Sequence, residues 1–179
     1  MVALQEVEHR VIRSWFADQP SFVAPRERHY EPARRLALTG SDGIVLGVRG
    51  AIERVDVQRW TGRVAIHARV RVGELALSIV TTHLECNAPI AREQLADLAG
   101  ASTDAPLVLL GDLNLATADA RVPLEAAGFT MVDGDPTSTT WAPVNRIDHV
   151  AVRGLEIVDQ RVVALPVSDH RAVVVELRA

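Results

Sequence analysis

The chain has 179 residues, 48% of them hydrophobic, and a net charge of −4. That composition suits one globular domain with a core of its own, and no window approaches the length of a transmembrane span. Proteins that grip long nucleic acid by charge are usually basic overall or carry a basic stripe, and neither is present here.

In chain order, Met1 to Val7 reads as a strand already under way. It shows no basic region or long apolar stretch of the signal-peptide kind, which points to a cytoplasmic protein. Residues 8–18 place Val11, Ile12, Trp15 and Phe16 at helical spacing, with Pro20 closing the segment. Residues 20–42 are polar and rich in Arg and Pro, as in a loop with a short strand. The basic residues are all arginine, in short clusters such as Pro25-Arg26-Glu27-Arg28 and Arg34-Arg35. Arginine suits bidentate phosphate contacts, and those of 20–42 and 49–63 could line a phosphate-binding cleft, although a solvated face is the plainer reading. β-rich runs follow at 43–48, 63–72 and 75–82, with Gly73-Glu74 as a hairpin turn between the last two.

Residues 88–100 have a helical pattern that turns Ile90, Leu95 and Leu98 inward. Pro106 to Leu110 is the continuous apolar run of a strand buried on both faces. A second helix is expected over 117–127, ending at Gly128, and strands over 129–132, 146–152, 155–165 and 171–177. Strands outnumber helices and the helices are interspersed, which implies an α/β class with sheets packed together and helices outside. Cys86 is the only cysteine. It excludes an intramolecular disulfide and a cysteine-rich zinc site. Its place three residues after His83 invites a Cys/His catalytic reading, but a small buried or half-buried thiol is the simpler expectation.

Polar residues of chemical interest fall at strand ends: Glu6, His83, Asp112 and Asn114, Asp148, and Asp169-His170. If neighbouring strands run in opposite directions, starts and ends of strands share one rim of a sheet, where α/β sites are built. Each residue alone admits a plain reading. Asp112 could form an Asx turn, His83 could be a hydrogen-bonded histidine, Glu6 could face solvent, and Asp169-His170 could be a turn. Asp148 within an apolar strand is harder to dismiss, because a buried carboxylate needs a partner, from Arg146 or a histidine.

Taken together, Leu4-Gln5-Glu6-Val7, Thr82-His83-Leu84-Glu85, Gly111-Asp112-Leu113-Asn114, Arg146-Ile147-Asp148-His149 and Ser168-Asp169-His170 resemble the endonuclease/exonuclease/phosphatase superfamily. Arg92 and Gln94 after the histidine strand, and Thr140-Trp141 before Arg146, agree with it. The resemblance covers nearly the whole chain. It implies a deoxyribonuclease I-like α/β fold, a four-layer sandwich of two packed mixed β-sheets flanked by helices. The strand and helix that such proteins place ahead of the Gln-Glu motif, with a metal-site Asn, have no counterpart here, so 1–179 is expected to be a single, N-terminally incomplete domain. The catalytic Tyr of abasic-site enzymes has no counterpart either.

The function so implied is hydrolysis of a phosphodiester or phosphomonoester by in-line attack of an activated water, with Mg²⁺ (or Mn²⁺) as cofactor. Glu6 would ligate the ion and Asp169 would support it or its waters. Asp112 would orient or deprotonate the water, Asn114 and His83 would bond phosphoryl oxygens, and His170 would act as acid/base with Asp148 setting its tautomer. The expected partner is a phosphate-ester substrate, nucleic acid among the candidates, met by a monomer. The alternative is a non-catalytic or impaired member that binds phosphate ligands or a partner. A serine hydrolase built on Ser168-Asp169-His170 is disfavoured, because three consecutive residues cannot easily build the relay and there is no nucleophile elbow.

Overall fold

The computed structural model describes residues 1–23, 27–36, 40–101 and 106–179. Pro25 and Arg26 of the first arginine cluster, and residues 37–39 of the expected loop, lie outside them. The chain divides into two compact units, Met1–His83 and Leu84–Ala179, and each is built around its own strands.

The first unit holds β1 (Val2–His9), α1 (Gln19–Val23), β2 (Glu27–Leu36), β3 (Gly40–Val48), β4 (Ala51–Trp60), β5 (Arg63–Val72) and β6 (Leu75–His83). β3 lies between β1 and β2, antiparallel to both. β4, β5 and β6 form an antiparallel meander that packs against this three-stranded sheet. Its core is the apolar side chains of the inner strands, with Val45, Leu46, Ile66, Val70 and Ile79 essentially inaccessible. Each is worth roughly 1.5–3 kcal/mol on burial, well above the 0–1 kcal/mol of an exposed ion pair, so these strands and not the rim charges hold the unit together. The Gly73-Glu74 turn joins β5 to β6 as expected, with Val72 opposite Leu75 and Gly73 at φ +59°, a backbone that a Cβ disfavours.

Both strands that flank β3 bulge at the same level. The register of β1 shifts between Leu4 and Val7, and that of β2 between Pro32 and Arg34, each beside Gly43. A Cβ at Gly43 would lie 2.1 Å from the Glu31 carbonyl oxygen. Gly43→Ala should therefore lower stability by about 1–3 kcal/mol, as an overpacked backbone contact does. Urea unfolding reads this directly, and a wild-type midpoint would show that β2 yields without cost.

Three expectations for this unit are corrected. No helix spans 8–18. Ile12–Ser14 make one 3-10 turn, and Trp15 and Phe16 then take left-handed backbone that ends it. Val11 is buried, while Ile12, Trp15 and Phe16 are exposed. Pro20 does not close a helix but sits in the first turn of α1, where its missing N–H costs nothing. Residues 20–42 are mostly strand and not loop. β2 is an edge strand, so it tolerates Pro32. Several of its charges are paired: Arg34 grips the buried Asp42 at 2.8 and 3.1 Å, and Glu31 takes His29 at 2.9 Å and also Arg59. β4 was not expected at all. It too is an edge strand, little buried, and its charged run resembles a loop.

The second unit holds α2 (Ala88–Ala101), β7 (Leu107–Asp112), α3 (Thr117–Ala126), β8 (Thr130–Met131), β9 (Asp148–Arg153), β10 (Glu156–Val163) and β11 (Ala172–Arg178). β9 lies antiparallel between β7 and β8, and β10 and β11 form a hairpin. α2 packs on α3, and α3 on β8. Leu107, Val108 and Leu109 of β7 are fully buried, as the apolar run requires. α3 stops just before Gly128. The inward stripe of α2 is Ala91, Gln94, Leu95, Leu98 and Ala99, so Ile90, expected inside, faces solvent. Gln94 replaces it because its amide oxygen accepts the Glu85 N–H at 2.9 Å. Cys86 is exposed and not the buried thiol expected, since it lies in the polar turn between His83 and α2.

Candidate active site

In the second unit the antiparallel register sets the last residue of β7 opposite the first of β9, Asp112 facing Asp148. A strand end and a strand start thus meet at one edge. His170, two residues ahead of β11, joins them. Its Nδ1–H donates to Asp148 Oδ2 at 2.9 Å, and Asp112 Oδ2 lies 3.9 Å from the same nitrogen. One ligand atom from each of the three lies within 4.8 Å of the others. Asp112 is buried, and Asp148 and His170 are half-buried.

The hydrogen bond to Asp148 is the main cause of a His170 pKa raised from 6.5 to about 9. Burial opposes it, while the charges of Asp148, Asp112 and Asp169 add to it. His170 is therefore an imidazolium at neutral pH. The partner that the Asp148 carboxylate required is this histidine and not Arg146, whose Nη1 donates to the Asp135 carbonyl at 3.1 Å. His149 points elsewhere, with Nε2 2.8 Å from the Leu115 carbonyl, and burial lowers its pKa.

Asn114 stands beside this group. Its backbone is left-handed at φ +50°, held there by an N–H that donates to Asp112 Oδ1 at 2.9 Å. The Asx turn that Asp112 could form is thus present, and it serves to aim Asn114. One Asn114 side-chain N–H goes to the Leu84 carbonyl at 2.9 Å, and a carboxamide nitrogen carries a second. Asp169 is exposed, and its backbone carbonyl accepts the Thr140 N–H.

In the first unit, Glu6 and His83 line one small cleft that is partly open to solvent. Glu6 occupies the β1 bulge at φ +55°, which turns it out of the strand's alternation. His83 ends β6 and is buried. Arg34, Asp42 and Arg63 line the same cleft, so the arginine-rich stretches do contribute to a pocket wall. Sequence reasoning named those stretches and Arg34 but not Asp42 as a wall residue, and it passed over Thr137, which is fully buried behind Asp148. A hydroxyl within the Thr137-Ser138-Thr139-Thr140 run carries no mark that would single it out.

The donors fit a hard divalent cation. With Nδ1 of His170 committed to Asp148 and the ring protonated, the histidine is a poor ligand, and the groups left are the carboxylate oxygens of Asp112 and Asp148 here and of Glu6 in its own unit. Oxygen donors without thiolate or neutral imidazole suit Mg²⁺ or Mn²⁺.

An imidazolium is thus held by one carboxylate and faced by another at the edge of a sheet in an α/β chain. Residues 1–170 match the sequence profile of the Endonuclease/Exonuclease/phosphatase family, and the chain belongs to that family. Endonucleases, exonucleases and phosphatases all cleave phosphate esters, so the fold is that of a phosphoesterase. No curated protein matches the chain significantly. Among solved structures, an endonuclease/exonuclease/phosphatase family protein from Leptotrichia buccalis is 14% identical over 99% of this chain and 86% of its own, with a TM-score of 0.74. TDP2 of D. rerio, complexed with a single-strand DNA product, is 16% identical over 99% and 85%, with a TM-score of 0.69. A mannosyl-6-phosphatase of Bacteroides thetaiotaomicron is 14% identical over 85% and 77%, with a TM-score of 0.56. At such identities the likeness establishes the fold, which is the deoxyribonuclease I-like α/β arrangement. Among the described residues no helix is long and apolar enough to cross a membrane.

Proposed function

We propose that the chain hydrolyses a phosphodiester or phosphomonoester by in-line attack of water, with a divalent metal as cofactor. The observation that carries this reading is the His170 imidazolium, pinned by Asp148 with Asp112 3.9 Å away. Asp112 orients the attacking water or takes its proton. His170 offers positive charge to the phosphoryl group and a proton to the leaving oxygen. Asn114, through its second side-chain N–H, and His83 bond phosphoryl oxygens. In the first unit Glu6 would hold Mg²⁺ or Mn²⁺, and in the second Asp169 would support a metal ion or its waters. When bound, the metal supplies Lewis-acid charge to the phosphate and the leaving oxygen.

The neighbours suggest substrates to try first. The DNA product in the TDP2 complex argues for single-stranded DNA ends, and the phosphatase neighbour argues for a sugar phosphate. The net charge of −4 and the 4% aromatic content argue against long, stacked nucleic acid.

Hydrolysis of bis(p-nitrophenyl) phosphate should need Mg²⁺ or Mn²⁺, vanish in EDTA and return when either ion is restored. Glu6→Gln should weaken Mg²⁺ binding by calorimetry at least tenfold. Inactivity with every divalent metal on nucleic acid, lipid and sugar or inositol phosphates would sink the proposal. If the folded chain also bound no Mg²⁺ at millimolar concentration, the non-catalytic reading would take its place.

A further inference from the structure

Thr137 lies in the segment between β8 and β9, and it is fully buried. Its side-chain oxygen accepts two backbone N–H groups, from Ile147 and from Asp148, each at 3.2 Å. Its own N–H donates to the Asn145 carbonyl at 2.9 Å, and its carbonyl accepts the Arg171 N–H at 2.8 Å. The next residue, Ser138, forms bridges with both Asn145 and His170. One buried residue therefore bonds the backbone of Asp148 and the residue directly after His170, the two ends of the 2.9 Å Asp148–His170 hydrogen bond.

The chemistry explains why a hydroxyl stands there. β8 pairs with β9 only at Val152 and Ala151, so the start of β9 has no strand beside it on that flank. Its N–H donors, with no strand to bond, need another acceptor. A hydroxyl oxygen has two lone pairs and serves both.

We propose that Thr137 is a positioning residue for the Asp148–His170 pair. Its hydroxyl fixes where β9 begins, its carbonyl fixes the turn that carries His170, and the carboxylate-to-imidazole distance is set by one rigid residue. The proposal rests on the hydrolase reading for its consequence in rate but not for its geometry.

The test compares Thr137→Val, which keeps the shape and loses the acceptor, with Thr137→Ser, which keeps the hydroxyl. Two readouts are used: kinetics on bis(p-nitrophenyl) phosphate, and the low-field NMR signal of the hydrogen-bonded His170 Nδ1 proton in ¹⁵N-histidine-labelled protein. Thr137→Val is expected to lose or broaden that signal and to lower kcat by about ten- to a hundredfold with KM within about twofold, as a misplacement near 1 Å does. Thr137→Ser is expected to match wild type in both. A Val variant with the wild-type signal and kcat overturns the proposal. So does a Ser variant that fails as Val does, since the hydroxyl would then not be what matters. If the wild type has no phosphoesterase activity, the hydrolase reading falls while the NMR comparison still decides the role of Thr137.

Discussion

Asp112→Asn should lower kcat by about three to four orders of magnitude and leave the fold intact, the upper range for loss of a positioned base. The substitution is a narrow one. Asp112 is buried at the end of β7, and its Oδ1 holds the Asn114 N–H at 2.9 Å. An Asn side chain keeps that acceptor, so the left-handed backbone at Asn114 has the same anchor. The backbone carbonyl of residue 112, which accepts the Leu84 N–H, is untouched. What changes is the loss of the charge and the replacement of Oδ2, 3.9 Å from His170 Nδ1, by an NH2 donor. KM should change little, and the melting temperature should stay within a few degrees. A variant within tenfold of wild type, with normal metal binding, would take the base role away from Asp112.

Asp148→Asn should act through His170. Asp148 is the first cause of the raised His170 pKa of about 9, and its hydrogen bond outweighs burial. Without the carboxylate, Asp112 and Asp169 are the acids left facing the ring, and the pKa should fall toward its ordinary 6.5. The sign follows from linkage. A histidine whose folded pKa is raised stabilises the fold fully below about pH 6.5 and loses that contribution as pH climbs through about 9. Wild type should thus exceed Asp148→Asn in stability at pH 6, by roughly 1–2 kcal/mol once solvent screening of a half-buried pair is allowed for, and the gap should close above pH 9. If protonated His170 serves catalysis, the variant should lose about 10²–10⁴ in kcat at pH 8 and its alkaline limb should move down. Urea unfolding at pH 6 and 9.5, with a pH–rate profile, measures both. An unchanged alkaline limb would show that the histidine works in its neutral form.

The parts of this arrangement that the sequence made legible are those with a local cause. The run Leu107 to Leu110 has to be buried on both faces, so the polar Asp112 after it had to emerge at a strand end. Asp148 inside an apolar stretch had to find a partner. The register that sets Asp112 opposite Asp148 is non-local and could not be read along the chain, and the choice of His170 over Arg146 as that partner came from the family resemblance, not from any local pattern. β2 and β4 were hidden for a different reason. They are edge strands, and several of their charges pair within the strand or with a neighbouring one, so their alternation is polar on polar. At residues 8–18 the spacing of apolar side chains favoured a helix, and the backbone at Trp15 and Phe16 overrode it.

The bulge at Glu6 has a consequence for how this protein can change. A glutamate held at φ +55° costs about 1–2 kcal/mol against a glycine, which enters the left-handed region freely. Its exposed side chain buries little apolar surface in return. A lineage drifting under selection for thermostability alone would be drawn away from glutamate at this position. With Glu6 in the metal-holding role proposed above, this is the spot where durability and activity would pull the chain in opposite directions.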